Sequence, residues 1–392
     1  MHTWTPDDFP VGFHTIHPEP STNFQLNRLY HFSGSDQLLH DLQQASPHIH
    51  DLTSFPEALI PLAEEHERRG NLLEAAFCYR GAEFVIPSTD PHRTKWRRQF
   101  RELSNTHYAI PEEARSWVPF GSIGLSTLHL TPSGPSRGTL VLMNGFDGCL
   151  EEFTRIMLTF RDAGYEVIAF DGPGQGETLA IHGASMIPGW EHPTAAVLDH
   201  FDLDDVTVLG CSLGGGLAVR AAAFEPRIRR VICFDVLPDL FGSLSQALPR
   251  PAQAILSTIV PTGLGRTLVN AMTRRDATRD PLIAWGLQQG MEVMGAKDPF
   301  DFIRATLQFR TLKHSHRLDQ DVLLMAGTTD HYVPLQHFWA QARALTHTRS
   351  VTGRIFTEAE SASNHCQLGN LGLAIRTMLD WLSQLEVRVV RS

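Results

Sequence analysis

The stretch Val206-Thr-Val-Leu-Gly-Cys-Ser-Leu-Gly-Gly-Gly-Leu-Ala-Val-Arg220 begins as a short apolar run and continues as an alanine-rich pattern with helical spacing. Between the two parts lies a Gly-x-Ser-x-Gly motif centred on Ser212. A sharp strand-to-helix turn of this kind exposes the serine Oγ at the carboxyl end of a strand. Gly210 and Gly214 are required because a Cβ at either position would collide with the neighbouring strand or helix. We therefore predict that Ser212 is a nucleophile.

Two later loops supply the partners that a serine nucleophile needs. A serine hydroxyl is weakly nucleophilic near neutral pH, so a base and an orienting acid must lie within hydrogen-bond reach. Residues 321–334 predict a buried strand, a turn and then Asp330 on the following loop. Residues 354–369 predict another strand and a loop that carries His365 just before the final helix. Because both residues follow strand ends, we predict that His365 is the base and Asp330 the acid.

One other carboxylate competes for the role of the acid. Asp235 ends the apolar strand that begins at Val231, and an orienting carboxylate could also come from this preceding strand. We prefer Asp330 because Val333 and Pro334 restart a helix directly after it. Among the 20 histidines, His365 is the one between the last predicted strand and the last helix.

The same chemistry needs donors for the negative charge that develops on the carbonyl oxygen. Two preorganised backbone N–H groups typically contribute roughly 3 kcal/mol each to lowering the barrier. One should be the amide of Leu213, directly after the nucleophile. The other should come from the loop after the strand in residues 139–149, where the sequence leaves Phe146 and Asp147 open and we assign Phe146.

Taken together, these motifs resemble the α/β-hydrolase superfamily over residues 117–390. More narrowly, the chain resembles the branch that contains fungal pigment polyketide-shortening hydrolases, dihydroxypseudooxynicotine hydrolase and fermentation-respiration switch-like proteins. The helical pattern ahead of the sheet also fits this branch. The resemblance is carried by Asn144-Gly-Phe-Asp147, Phe170-Asp-Gly-Pro-Gly-Gln-Gly176, the Ser212 motif, Asp330 and His365-Cys366.

The resemblance implies a reaction class as well as a fold. That branch includes enzymes that cleave carbon–carbon bonds next to ketones, and it also includes ester-type hydrolases. Some members keep an extra acidic residue in the loop after the first oxyanion strand, which here is Asp147. A simple turn or helix-cap carboxylate is an equally good interpretation of Asp147.

The chain divides into four segments around an α/β core. Strands alternate with helical patterns in residues 117–236 and again in residues 319–392, which predicts an α/β fold with a mostly parallel sheet and flanking helices. Residues 1–116 form a helical segment that contributes to a cap, irregular up to about residue 30 and clearest as a hairpin around Gly70. Residues 237–318 are a helical lid insertion, with a scaffold remote from the site as the alternative.

Net charge, apolar content and cysteine spacing argue against several other classes of protein. The formal charge of −10 argues against a nucleic-acid partner. The sequence contains no run of about 18 apolar residues, so it predicts no membrane span. The five cysteines show no paired metal-type spacing and fit a reducing compartment. The first residues lack a signal-peptide pattern, so we expect a cytoplasmic location. No metal or organic cofactor is implied, and a homodimer remains one option for the assembly.

The sequence therefore predicts a hydrolase that uses Ser212, His365 and Asp330 to cleave a carbon–carbon or ester-type bond in a small organic molecule. Two alternatives stay open: an acyltransferase or cyclase with the same triad, and a non-catalytic binding member of the fold. The predicted substrate pocket is a crevice between the N-terminal helices, the insertion and Ser212. Residues 24–32 either pack in this crevice or serve oligomerisation.

Overall fold

An eight-stranded sheet forms the centre of the computed structural model, which describes residues 2–246 and 248–391. Its strand order is β1-β2-β4-β3-β5-β6-β7-β8. β2 pairs antiparallel with both β1 and β4, and all other neighbours are parallel. The strands are β1 Arg115–Phe120, β2 Ile123–Leu130, β3 Thr139–Met143, β4 Glu166–Asp171, β5 Val206–Cys211, β6 Ile228–Phe234, β7 Asp321–Gly327 and β8 Ser350–Phe356.

Helices cover both faces of this sheet, which explains why the parallel strands β3, β4, β5 and β7 are buried almost throughout. Side chains alternate between the faces, so Leu209 and Ile232 contribute to one core cluster and Val208 and Val231 to the other. The second cluster also contains residues of α8, α9 and α16. The helices of the core are α6 Thr154–Asp162, α7 Gly176–His182, α8 Glu191–His200, α9 Leu213–Ala222, α16 Leu335–Ala344 and α17 Leu371–Arg391.

Five helices precede the sheet and join the first core cluster together with α6 and α17. A hairpin of two helices turns at Gly70, which ends the first of them with a φ of 78°. Gly81 lies in the second helix, against the side chains of Leu29 and Leu59. The five are α1 Pro20–Ser33, α2 Asp36–Ala45, α3 Phe55–Arg69, α4 Leu72–Val85 and α5 Pro91–His107.

The expectation of irregular chain up to about residue 30 is wrong, because α1 already begins at Pro20. The Glu19 side chain caps this helix by accepting hydrogen bonds from the amides of Ser21 and Thr22. Most of the helix is buried, including polar residues such as Asn27. A helix that is buried on several sides lacks the apolar stripe from which helices are identified in a sequence.

The described residues between β6 and β7 contain six α-helices. α13 and α14 bury part of their surface, whereas the two helices before them contain no buried residue among those described. The insertion also contacts the N-terminal helices, since the Trp285 indole packs against the Phe84 ring at a centroid distance of 4.9 Å. The six are α10 Leu240–Leu244, α11 Arg250–Ile259, α12 Arg266–Ala277, α13 Pro281–Met294, α14 Pro299–Thr306 and α15 Leu312–Ser315.

Two further features concern the expectations drawn from composition. All five cysteines are free thiols, and four of them are buried. Within residues 2–246 and 248–391, none of the helices has the length and apolarity needed to cross a membrane. The cytoplasmic location stays a prediction.

Candidate active site

Ser212 lies in a strained turn between β5 and α9. Its backbone has a φ of 60° and a ψ of −119°, a combination that non-glycine residues rarely adopt. Such strain persists only where the surroundings enforce it, and it is concentrated at functional sites. The glycines on either side allow the turn, since a Cβ at Gly210 would collide with the carbonyl of Gly214 and a Cβ at Gly214 with that of Asn144. These two glycines therefore allow the backbone turn that places the Ser212 hydroxyl at the edge of the sheet.

Two loops at the same edge bring His365 and Asp330 to this serine. His365 Nε2 lies 2.9 Å from Ser212 Oγ, and His365 Nδ1 lies 2.7 Å from Asp330 Oδ2. The other carboxylate oxygen of Asp330 accepts hydrogen bonds from the amides of Tyr332 and Val333, each at 2.8 Å. The three predicted residues thus form a continuous hydrogen-bonded chain, and the acid is held from its far side.

The competing acid, Asp235, lies in the same cluster. Its Oδ2 is 3.2 Å from His365 Nδ1 and also accepts a hydrogen bond from the amide of Cys366. Its Oδ1 accepts a hydrogen bond from Gln367 Nε2 at 3.0 Å. The two carboxylates that the sequence presented as alternatives therefore both face the same nitrogen of the imidazole.

Charge and burial shift the pKa values of His365, Asp330 and Asp235. Burial works against an imidazolium, but the groups that face the ring together outweigh it, with attraction to the carboxylate of Asp330 the largest contribution among them, and the pKa of His365 is raised well above its usual range. Burial raises the pKa of Asp330 to about 6, and the negative charge of Asp235 adds to this effect. Burial also works to raise the pKa of Asp235, yet hydrogen bonding and attraction to His365 hold it below its usual value. The imidazole is therefore well stabilised in its protonated form.

The loop after β3 packs directly against the nucleophile. A Cβ on Gly145 would lie 3.0 Å from the carbonyl oxygen of Cys211 and 3.2 Å from Ser212 Cβ, so a larger residue here would crowd the nucleophile. Gln175 Nε2 donates to the carbonyls of Asn144 and Gly145, each at 2.8 Å, and Asn144 Nδ2 donates to Asp171 at 2.5 Å. Sequence reasoning missed this support, although the Gly-Pro turn that contains Gln175 was its visible signal. Leu213 opens α9 beside this loop, and the backbone of Phe146 follows Gly145 within it.

Asp147 faces the N-terminal segment. Its carboxylate accepts a hydrogen bond from Arg28 Nη1 at 3.2 Å, and its carbonyl accepts one from Arg80 Nη2 at 2.9 Å. Arg28 also pairs with the buried Glu152 at 2.5 Å. The side chain proposed as an accessory acid is thus part of an ion-pair network.

Helix α1 supplies an aromatic wall beside the imidazole. The ring centroid of Phe24 is 6.2 Å from that of His365, 5.3 Å from that of Tyr332 and 4.9 Å from that of His331. Tyr332 itself lies 5.2 Å from His365. Neither periodicity nor motif singled out Phe24 or Tyr332 for this position, because the contact joins residues far apart in the chain.

Buried charges tie the N-terminal helices to the core and to the insertion. Glu83 is 1% exposed and accepts hydrogen bonds from Arg80 and Arg93. Arg80 also pairs with Glu152 in the short 3-10 helix before α6, and Arg93 pairs with Glu292 of α13 at 2.6 Å. Because buried charges are stable only when paired, this network fixes the three parts of the structure against one another.

Comparison with known proteins gives the family. The sequence pattern of the alpha/beta hydrolase fold family matches residues 138–366, from the start of β3 to the histidine loop. Hydrolase LUC6 of Fusarium sp is 30% identical over 300 residues, which cover 70% of this chain and 68% of the relative. The 20-hydroxy-prefusarin hydrolase FUS2 of Gibberella moniliformis is 34% identical over 192 residues, 44% of this chain and 43% of the relative. Across eight fungal relatives, the match spans 41 to 71% of the relative's length.

A solved structure agrees at the level of the fold. The crystal structure of the 2,6-dihydroxy-pseudo-oxynicotine hydrolase superposes with a TM-score of 0.62 at 22% identity, covering 91% of this chain and 94% of that chain. The fold class predicted from the motifs is therefore confirmed, as is the resemblance to the branch that contains this enzyme and the fungal hydrolases. The chain belongs to the α/β hydrolase fold family and is a hydrolase.

Proposed function

We propose that this hydrolase is a serine enzyme in which Ser212 is the nucleophile, His365 the base and Asp330 the acid that orients the base. The proposal rests on two distances, 2.9 Å from Ser212 Oγ to His365 Nε2 and 2.7 Å from His365 Nδ1 to Asp330 Oδ2. Both are within hydrogen-bond range, and the order serine, acid, histidine is that of this fold. The amides of Leu213 and Phe146 are the proposed oxyanion donors.

In the first step Ser212 Oγ attacks the substrate carbonyl while its proton passes to His365 Nε2. The carbonyl π electrons move to the oxygen, where the amides of Leu213 and Phe146 stabilise the negative charge. The imidazolium is stabilised by the carboxylate that faces its Nδ1–H. The raised pKa of His365 reflects the same stabilisation of the protonated ring.

In the second step the tetrahedral intermediate expels its leaving group, which takes the proton from His365 Nε2. An ester releases an alcohol, and a carbon–carbon bond next to a ketone releases a carbanion or enolate that becomes a ketone on protonation. The remaining acyl group is bonded to Ser212 Oγ. Water, deprotonated by His365, then attacks this acyl-enzyme, and the acid product leaves with Ser212 restored.

We infer that the substrate is a small or medium organic carbonyl compound of the polyketide type. The fungal relatives are named as hydrolases, one of them for 20-hydroxy-prefusarin, and the aromatic wall of Phe24 and Tyr332 suits a flat, unsaturated substrate. A leaving carbanion needs an adjacent carbonyl, and polyketides provide this arrangement. No cofactor, nucleic acid or membrane takes part in the proposed reaction, and the proposed location is the cytoplasm.

A fluorophosphonate probe tests the nucleophile without knowledge of the substrate. The wild-type enzyme should become labelled at Ser212, as located by peptide mass spectrometry, and Ser212→Ala should not react. Absence of labelling in the folded wild-type protein would contradict the triad and would favour a non-catalytic binding member of the fold.

Product mass spectrometry over a panel of esters, thioesters and β-diketones then separates the reaction classes. Release of a carboxylic acid and a ketone from a β-diketone indicates carbon–carbon cleavage, and release of an alcohol indicates ester hydrolysis. Each reaction is repeated with an added alcohol or amine. Transfer of the acyl group to the additive in preference to water would assign an acyltransferase instead.

A further inference from the structure

The Nδ1 atom of His365 faces two carboxylates where one would suffice. Asp330 Oδ2 lies at 2.7 Å and Asp235 Oδ2 at 3.2 Å from this nitrogen. The side chains of both aspartates are 1% exposed, so solvent screens neither charge effectively. A neutral imidazole offers only one N–H at this position, and the two acceptors must share it.

Asp235 also holds the turn that carries the imidazole. Cys366 and Gln367 have φ values of 47° and 48°, which is left-handed backbone that favours glycine. The amide of Cys366 and the side chain of Gln367 both donate to the Asp235 carboxylate. These hydrogen bonds secure an unfavourable conformation directly after His365 and so determine where its ring points.

The position of Asp235 is itself tightly constrained. It follows β6 with a φ of 58°, another left-handed value at a non-glycine residue. A Cβ on Gly215 of α9 would collide with the Asp235 carbonyl, so the helix after the nucleophile packs directly on this residue. The carboxylate is therefore anchored to the same elements that hold Ser212.

We propose that Asp235 is a positioning residue that shares the Nδ1–H of His365 with Asp330, secures the turn at Cys366 and Gln367, and thereby sets the pH at which His365 accepts a proton. This inference rests on the proposed triad. The role that it gives to Asp235 differs from the role of Asp330. Asp330 selects the tautomer of the ring, whereas Asp235 adds a second negative charge and a mechanical anchor. In the reaction the proton of Ser212 moves to Nε2, the Nδ1–H stays in place, and the resulting imidazolium faces both carboxylates.

The other groups around the ring carry no charge near neutral pH. Burial lowers the pKa of His331 to about 4 and raises the pKa values of Tyr332 and Cys366 above their usual ranges. Near neutral pH the two carboxylates are therefore the charged neighbours that influence the pKa of His365. In the described part of the chain the polar and titratable groups facing it are Asp330, His331 and Tyr332 after β7, Asp235 after β6, Ser212 after β5 and Cys366 on its own loop, with the Cys211 thiol next to Cys366.

The pH dependence of labelling distinguishes this role from a merely structural one. We would measure the second-order rate constant for fluorophosphonate labelling of Ser212 against pH, using the full-length wild-type enzyme and two variants. Asp235→Asn removes the charge while keeping the shape of the side chain. Gln367→Met is the matched control, because it removes the hydrogen bond to Asp235 while keeping the carboxylate.

The acidic limb of the Asp235→Asn profile should move to lower pH by about 1 to 3 units, since a carboxylate this close raises the pKa of its partner by that amount. Gln367→Met should label more slowly but keep the wild-type midpoint. A slower Asp235→Asn enzyme with an unchanged midpoint would overturn the inference. Failure of wild-type labelling would instead overturn the proposed triad, so the two failures are distinguishable.

A measurement on the unmodified protein covers the case in which Asp235→Asn does not fold. The low-field proton resonance of His365 Nδ1–H can be followed by NMR while the pH is varied. The pKa of His365 should lie above its usual value of 6.5. A value at or below it would mean that the facing carboxylates do not stabilise the imidazolium, which overturns the inference.

Discussion

The ring of Phe24 lies with its centroid 6.2 Å from that of His365, so a helix near the amino terminus borders the imidazole at the far end of the chain. This helix is also tied to the loop after β3, through the hydrogen bond from Arg28 to Asp147. The N-terminal helices are thus next to the candidate active site. The arrangement agrees with a substrate crevice that these helices help to form.

Replacing the nucleophile should abolish turnover without unfolding the protein. We expect Ser212→Ala to lower kcat by about a millionfold, because removal of a triad nucleophile has this effect in related chemistry. Hydrolysis of a substrate found in the panel and thermal unfolding would both be measured. Ser133→Ala, at an exposed position in the loop between β2 and β3, is the control and should leave both unchanged. Near-wild-type kcat in Ser212→Ala would exclude the mechanism.

The two carboxylates on His365 should differ in their effect on rate. Asp330→Asn should lower kcat by about four orders of magnitude, because an asparagine amide favours the wrong imidazole tautomer. Asp235→Asn should be far milder at a pH above the wild-type midpoint, since Asp330 still fixes the tautomer. Steady-state kinetics of both variants at the same pH would decide. The reverse ranking would move the role of the acid to Asp235.

Phe24 should influence which substrates are accepted. We expect Phe24→Leu to lower kcat/KM for aromatic or conjugated substrates about two- to tenfold relative to saturated ones, because aromatic pairs contribute about 0.5 to 1.5 kcal/mol beyond area burial. Phe32→Leu on the same helix is the matched control. Its ring packs on Phe153 at 5.3 Å, so it should cost similar stability and leave the substrate ranking unchanged. Equal rankings for the two variants would argue against a pocket at α1.

The buried Glu83 should contribute to acid unfolding. Burial works to raise its pKa, but the guanidinium groups of Arg97, Arg80 and Arg93 lower it from 4.5 to about 2. A carboxylate whose pKa falls on folding adds stability that is fully present above pH 4.5 and is lost as the pH falls towards about 2. The free energy of unfolding of the wild type should therefore decrease across this window.

Glu83→Gln tests this contribution. The variant should be less stable near neutral pH by about 3 to 5 kcal/mol, because buried arginines lose their partner, and it should lose less further stability on acidification. Glu102→Gln, at an exposed carboxylate 3.9 Å from Arg98, is the control and should follow the wild type. Denaturant titrations at several pH values provide the measurement. Parallel pH curves for Glu83→Gln and the wild type would contradict the assignment.

Local pattern was enough for the core of the fold and for the residues proposed to do the chemistry. Ser212 was identifiable because a strand, a Gly-x-Ser-x-Gly turn and a helix are all encoded within 15 neighbouring residues. Asp330 and His365 were identifiable because each lies on a loop after a predicted strand, and the carboxyl ends of parallel strands meet at one edge of a sheet. The helical hairpin at Gly70 was visible for the same reason, since a helix stop and a helix start are local signals.

Only the tertiary structure decided how these pieces combine. The sequence presented Asp235 and Asp330 as alternatives, and the pairing of β6 with β7 brought both to one nitrogen of His365. It offered packing in the substrate crevice as one of two options for residues 24–32 but did not single out Phe24 as the residue that reaches the imidazole, because α1 is buried on several sides and has no apolar stripe. Periodicity reports which face of an element is buried, but not which distant residue covers it. That choice depends on packing and charge pairing across the whole chain.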